Sequence, residues 1–338
     1  MKIIVDAMGG DLAPKDIVLG AASAAAEFDV TVALVGQEPV IRDILRGADL
    51  EGSGNIEIVH AESVIPMDGH AEEVRQKRDS SLTVALDLLK NGGGDAFVSA
   101  GSTVAVLSGA TLYAKRIKGV RRAALCPVIP TMAGGTLLID CGANIDCTAE
   151  ALMQFAYIGQ AYARCALGVD NPRVGLLNIG SEESKGGDVR VETYQMLAKA
   201  KDEGKVNFIG NVEGRDVLQH VCDVLVTDGF SGNILLKSIE GAGMFVNDFL
   251  KATFLKNAKT KMSAMLVKKS ISEFRKMMDY TEVGGAPFLG LAKPVIKAHG
   301  SSNQKAIRGA IKQAIRYASS NTIDEISRTL QSDIVENN

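Results

Sequence analysis

The chain has 338 residues, 46% of them hydrophobic, with 37 basic against 40 acidic side chains, a formal net charge of -3, no Trp and 5% aromatics. That is enough apolar material for one large α/β unit or two packed lobes. The near-balanced charge excludes a global positive field for nucleic acid, and so few aromatics exclude base-stacking platforms and sugar-binding shelves.

The opening Met-Lys-Ile-Ile-Val-Asp enters a strand directly, with no basic segment, long apolar run or cleavage site, so no export signal is expected. Short Val/Ile/Leu-rich runs follow at 32–35, 56–59, 96–98, 137–139, 174–177, 208–209, 224–226 and 295–296. Between them, 81–90, 103–117, 149–166 and 189–200 carry helical periodicity. This alternation predicts a three-layer α/β/α body with a largely parallel sheet, a single catalytic unit over residues 1–338 with at most two packed lobes. The uncharged runs 96–114 and 123–139 are broken by Gly, Ser or Pro and read as core elements joined by turns, not bilayer spans. Five cysteines (126, 141, 147, 165 and 222) lack Cys-x-x-Cys spacing and do not pair with the four histidines as ligands; they read as reduced core thiols, with no metal expected.

Residues 234–280 differ from the rest. They hold no Pro and place Leu235, Ile239, Phe245, Phe249, Met262, Met265, Ile271, Phe274 and Met278 at helical spacing. Two long helices with a turn near 257–260 are expected, the second rich in Lys259, Lys261, Lys268, Lys269, Arg275 and Lys276. Such an arm suits dimerisation, a membrane surface, or both.

Ligands of an open parallel sheet gather outside the carboxyl ends of its strands, where turn amides and helix N-termini point. Five turns there share Gly-freed amides and polar donors: 5–11 (Val-Asp-Ala-Met-Gly-Gly-Asp), 99–103 (Ser-Ala-Gly-Ser-Thr), 178–186, 227–233 (Thr-Asp-Gly-Phe-Ser-Gly-Asn) and 299–303 (His-Gly-Ser-Ser-Asn). Converging, they would cradle a phosphate-sized anion. There is no Gly-x-Gly-x-x-Gly after a strand, no P-loop, no Gly-x-Ser-x-Gly and no His-Glu-x-x-His, so neither a dinucleotide, an NTP, a serine hydrolase nor a zinc protease is announced.

With Asp-Cys-Gly-Ala-Asn (140–144), Arg-Val-Gly-Leu-Leu-Asn-Ile-Gly-Ser-Glu (173–182) and Pro-Val-Ile-Lys-Ala-His-Gly-Ser-Ser (294–302), these loops resemble nearly end to end the bacterial phosphate acyltransferases of phospholipid synthesis. The chain departs from that pattern at Ser102 and Val104, where the family usually has Asn and Gly. The resemblance implies a fold similar to phosphotransacetylases and isopropylmalate and isocitrate dehydrogenases, a homodimer, no cofactor, and conversion of acyl-acyl-carrier protein plus inorganic phosphate to acyl phosphate.

Hydrogen phosphate is itself nucleophilic, and a thiolate leaves readily because thiols ionise near pH 8.5. The protein's tasks are therefore to hold the anion, stabilise the oxyanion and manage one proton. Lys185, with Ser102, Thr103, Ser231, Gly232 and Asn233, is the expected anion site, and Asn178, the Gly180 turn and Ser301 lend further donors. His299 is the acid–base candidate. Asp228 orients His299 or Lys185, or caps its helix. His60, His70 and His220 read as surface residues. An acidic carrier protein would dock on Arg75, Lys77 and Arg78, or on Lys115, Arg116, Lys118, Arg121 and Arg122. Phe254, Leu255, Lys256, Lys259, Met262 and Met265 would meet an anionic membrane surface, where a membrane-bound acyltransferase consumes acyl phosphate. The rivals are a short-chain acyl-coenzyme A phosphotransacetylase, a decarboxylating dehydrogenase of similar fold, and a non-catalytic lipid-sensing scaffold.

Overall fold

The computed structural model describes residues 1–52, 55–272 and 284–336. Strands are β1 Lys2–Asp6, β2 Thr31–Gly36, β3 Ile56–His60, β4 Ala96–Ser99, β5 Ala124–Leu125, β6 Val128–Thr131, β7 Gly134–Ile139, β8 Val174–Asn178, β9 Phe208–Glu213, β10 Val224–Val226, β11 Gly285–Leu289 and β12 Val295–Ala298. Helices are α1 Lys15–Phe28, α2 Glu38–Gly47, α3 Glu73–Gln76, α4 Ser81–Lys90, α5 Thr103–Tyr113, α6 Ala149–Cys165, α7 Asp188–Asp202, α8 Gly229–Leu255, α9 Ala258–Leu266, α10 Gln304–Ala318 and α11 Thr322–Glu336.

The strands form two sheets rather than one. The first has the order β3-β2-β1-β4-β12-β11-β5 and the second β6-β7-β10-β8-β9. Most neighbours are parallel; β11 runs antiparallel to β12 and β5, and β6 antiparallel to β7. Alternation along β1 explains the layering of the first sheet. Ile3 and Val5 join one apolar cluster with α1 and α10, while Ile4 joins another with α4 and α5. The first cluster also takes in Leu137 and Ile139 of β7 and Phe155 and Ile158 of α6, so one core is shared by both sheets. Helix α6 is apolar almost all round because it lies inside that core, where Tyr162 meets Tyr317 edge to face at 5.4 Å.

Helix α8 and the break near 257–260 match the expectation, but the second helix is not one long element: α9 has nine residues and ends at Leu266, with a turn at Val267. Asn257 accepts from Thr260 N, and Thr260 Oγ1 accepts from Asn257 N, a reciprocal cap that starts α9. Phe274, Met278, Arg275 and Lys276 lie outside the described residues. Leu255, Met262, Met265 and Leu266 are exposed, although Leu255 also borders, with the half-buried Phe254, a cavity under the arm. His220 corrects its surface reading: it is wedged between Thr131 Oγ1 at 3.0 Å and Asp223 Oδ1 at 3.2 Å. Cys126, Cys141 and Cys222 are buried thiols, while Cys147 and Cys165 are only partly covered.

Candidate active site

A cavity of about 1650 Å³ opens between the carboxyl edge of the first sheet and the α8–α9 arm. Its polar end is built by three turns that leave adjacent strands. β1 lies beside β4, and β4 beside β12, in a register that pairs Lys297 with Ser99. The turns after these strands close on one another: Asp11 N donates to Gly300 O at 2.8 Å, and a Cβ on Gly9 would stand 2.9 Å from Gly101 N. Gly9 is therefore required by close approach of two backbones.

Lys297 occupies the centre of this polar end. Its side chain is buried, at 7% exposure, yet lines the cavity together with Gly101, Ser102, Thr103, His299 and Ser302. Nζ donates to the carbonyl oxygens of Ala100 and Ala298. Burial lowers its pKa from 10.5 to about 8, against the pull of Asp11 and Asp6. Asp6 is itself raised by burial, although it accepts from Ser99 Oγ at 2.8 Å. Ser302 Oγ is buried in the cavity wall without a hydrogen-bond partner, an arrangement that a bound acceptor would satisfy.

His299 lines the cavity too. Its Nδ1 accepts from Ser301 N at 3.3 Å and meets Ser301 Oγ at 2.8 Å, so in the neutral ring the proton sits on Nε2. Partial desolvation, followed by the nearby Lys237, holds its pKa below 6.5. At pH 7 His299 is thus a neutral Nε2–H donor. Ser102 caps α5, accepting from Ala105 N, and its hydroxyl donates to Gly69 O at 2.9 Å. Val104, the other departure from the family pattern, is exposed and displaces nothing.

Of the residues singled out in the sequence, Ser102, Thr103, Asn233 and His299 line this cavity. Ser301 stands behind His299. The structure does not bring Lys185, Asn178, Gly180, Ser231, Gly232 or Asp228 into the lining. Lys185 is half-exposed with Glu182 Oε1 at 3.9 Å, and Asn178 closes its own loop by donating to Lys185 O at 2.9 Å. Asp228 is the cap of α8: it accepts from Ser231 N at 2.7 Å and Ser231 Oγ at 3.0 Å, which uses up the donors of Ser231. Its second partner is Arg190, not His299 or Lys185, and this pair is largely buried. Burial alone would raise the Asp228 pKa, but Ser231 and Arg190 outweigh it and hold the carboxyl below its usual range. Gly232 N donates to Asp228 O within the helix at 3.0 Å, and a Cβ on Gly232 would overlap Asp140 O. Its role is therefore close packing of α8 on the 140–144 loop, which Asp140 organises by accepting from the amides of Leu125, Cys141 and Asn144.

Lys297, Ser302 and Arg190 were missed by sequence reasoning. The signal for Lys297 was present: one lysine inside an apolar strand leading into His-Gly-Ser-Ser, where a parallel strand offers no solvated face.

Away from this end the cavity changes character. Leu236, Ile239, Met244, Leu250 and Phe254 of α8 and Ala264 of α9 line a long, mainly apolar stretch, with Glu240, Asn247, Lys251 and Lys268 set among them. The whole is a polar anion-sized corner joined to a hydrophobic channel.

A family model described as fatty acid synthesis protein matches residues 1–325. A phosphate acyltransferase from Thermoanaerobacter pseudethanolicus is 45% identical over 334 residues, covering 98% of each chain. One from Brevibacillus brevis is 46% identical over 334 residues with 98% of each chain covered. Among solved structures, a phosphotransacetylase from Streptococcus pyogenes superposes with a TM-score of 0.66 at 19% identity, covering 94% of both chains. A branched-chain phosphotransacylase from Enterococcus faecalis gives a TM-score of 0.60 at 15% identity, covering 95% of this chain and 99% of that one. These two likenesses are of fold, and they agree with the phosphotransacetylase-like architecture expected from the sequence.

Proposed function

Because the chain belongs to the fatty acid synthesis protein family, we propose that it moves a fatty acyl group from acyl-acyl-carrier protein to inorganic phosphate, giving acyl phosphate. The observation that carries this reading is the two-part cavity. Lys297, the unpartnered Ser302 hydroxyl and the amides of Ser102 and Thr103 suit a dianion at the N-terminus of α5, and the apolar channel along α8 suits a long acyl chain.

The chemistry follows from these placements. A phosphate oxygen attacks the thioester carbon, the C–S bond breaks, and the proton carried by hydrogen phosphate ends on the departing sulfur. The Lys297 ammonium neutralises the dianion, and a pKa of about 8 matches that of a thiol, so it can pass a proton to sulfur and regain one from phosphate. His299, expected as an acid–base group, serves better as an Nε2–H donor to the developing oxyanion. No covalent enzyme intermediate is required.

The channel also favours this reading over a short-chain phosphotransacetylase, whose small acyl group would fill little of so long an apolar wall. Incubating the protein and phosphate with palmitoyl-carrier protein, palmitoyl-coenzyme A or acetyl-coenzyme A, and trapping acyl phosphate with hydroxylamine, distinguishes them. Preference for acetyl-coenzyme A, or thioester loss independent of phosphate, would reject the proposal.

Among the described residues no helix is long and apolar enough to cross a membrane. In this reading the arm's exposed Leu255, Met262 and Met265, flanked by Lys256 and Lys259, rest on an anionic membrane surface. The labile product would pass there to a membrane-bound acyltransferase, and the arm would also pair two copies of the chain.

A further inference from the structure

The carboxyl edge of the second sheet carries a surface that the cavity does not use. Ile145 and Ile179, in the loops after β7 and β8, and Phe230, in the first turn of α8 after β10, are 68%, 81% and 59% exposed. Backbone contacts hold these loops together. Asn144 Nδ2 donates to Ala123 O at 2.9 Å, and Gly229 N donates to Asn144 O at 2.7 Å. The first bond sets Ile145 beside the exposed Arg121 and Arg122; the second sets it beside Phe230. Arg190 ties in the third loop, since it binds Asp228 and Thr227 while Gly186, between it and Asn178, packs on its stem.

The result is an apolar centre with a cationic edge at Arg121 and Arg122, the composition of a protein-recognition site. Between Lys115 and Ile139 the sequence holds no acid at all; beside this edge Glu150 is engaged by Arg121 at 3.7 Å and Asp146 remains, while across the surface, in the Ile179 loop, Glu182 faces Lys185 at 3.9 Å and Glu183 accepts from Tyr194 at 3.1 Å. The surface also leads somewhere. Phe230, Asn233, Ile234 and Lys237 follow one another at helical spacing along α8, and Asn233 and Lys237 line the cavity.

We propose that this surface receives the acyl-carrier protein, its acidic helix set against Arg121 and Arg122 and its apolar side chains against Ile145 and Phe230, with the thioester arm threaded past Asn233. The proposal rests on the reading that the donor is a carrier-protein thioester. It selects one of the two basic clusters of the sequence. In the other, Lys77 is held by Glu73 at 2.8 Å, and Arg75 and Arg78 share with Asp87 a separate cavity of about 630 Å³ whose lining has no residue in common with the active-site cavity.

The test compares three variants with the parent on two donors, palmitoyl-carrier protein and palmitoyl-pantetheine. The double variant R121E/R122E is expected to raise KM for the carrier-protein donor at least tenfold, with kcat and both KM for phosphate and KM for palmitoyl-pantetheine within twofold of the parent. Ile145→Ser, a milder change on the apolar centre, should raise the same KM severalfold at an unchanged melting temperature, and R75E/R78E should leave it alone. Unchanged KM in folded variants, an equal rise for palmitoyl-pantetheine, or a changed sedimentation coefficient, which would give the patch to a second copy of the chain, each overturns the proposal. If the parent enzyme turns over palmitoyl-pantetheine but never the carrier-protein donor, it is the functional reading that falls, and the docking surface with it.

Discussion

Replacing Lys297 by Met separates what the lysine does for the fold from what it does for the ligand. Its pKa falls from 10.5 to about 8 on burial. At pH 7 this places about 3 kcal/mol against the folded state, at about 1.4 kcal/mol for each tenfold change. The carbonyls of Ala100 and Ala298 lose a donor in the variant, which offsets about 1 kcal/mol each. A net gain of about 1 kcal/mol is therefore expected for Lys297→Met, a rise of roughly 1–2 °C in Tm for a chain of this length. The sign has a pH signature. The folded state gives up its proton near pH 8 and the unfolded state only near 10.5, so the unfolded chain binds more protons in between. Wild-type stability should rise across that window, and the variant should lack this rise. Phosphate binding should move the other way: losing one charge-assisted contact weakens it about 10- to 100-fold, and wild-type affinity should decline above pH 8. Thermal unfolding at pH 7 and pH 9.5, with phosphate calorimetry, measures both. A variant that binds phosphate normally, or that is less stable while keeping the wild-type pH slope, would refute the reasoning.

His299 should behave as a donor: His299→Gln keeps most of the turnover, whereas His299→Phe loses about 100-fold in kcat, and protonation of the ring below pH 6.5 should not by itself abolish turnover, because the imidazolium keeps its Nε2–H. Equal losses in both variants would return the residue to proton transfer. Gly232→Ala forces a methyl into Asp140 O and within 2.9 Å of Thr227 Cγ2, so a loss of about 3 kcal/mol is expected in thermal unfolding. Gly241→Ala on the same helix meets nothing within 4 Å and should be neutral or gain up to about 1 kcal/mol. In the arm, Leu255→Glu with Met265→Glu should abolish sedimentation with anionic liposomes; retained binding sinks the membrane role.

The strands of the central layers were legible because burial on both faces demands continuous Val, Ile and Leu, as in Val224–Val226. β5, β6 and β11 were not, since they are short, antiparallel and carry Pro130 and Pro287, which read as turns. Nor was the division into two sheets. It depends on β11 and β12 returning to β4 from the far end of the chain, and no local period encodes such a pairing. The turns of the candidate site were found by composition, but composition does not say who takes the donors. Ser231 and Gly232 have the residue types of an anion cradle; Asp228 consumes the first, and contact with Asp140 explains the second.

Lys297 illustrates the converse. A buried ammonium beside carboxylates is normally neutralised by them, yet Ser99 and the amide of Met8 bond Asp6, and burial raises Asp6 toward its neutral form. Asp11 is then the carboxylate whose charge chiefly offsets the lysine, and the corner keeps room for a dianion. Entry of phosphate would raise the Lys297 pKa again, so the ammonium present at pH 7 is held more firmly, and above pH 8 binding draws a proton onto Nζ. The same event that satisfies the site electrostatically therefore keeps in it the proton that the leaving sulfur needs, which is why a lysine costly to the empty fold is suited to this chemistry and a permanently charged arginine would not be.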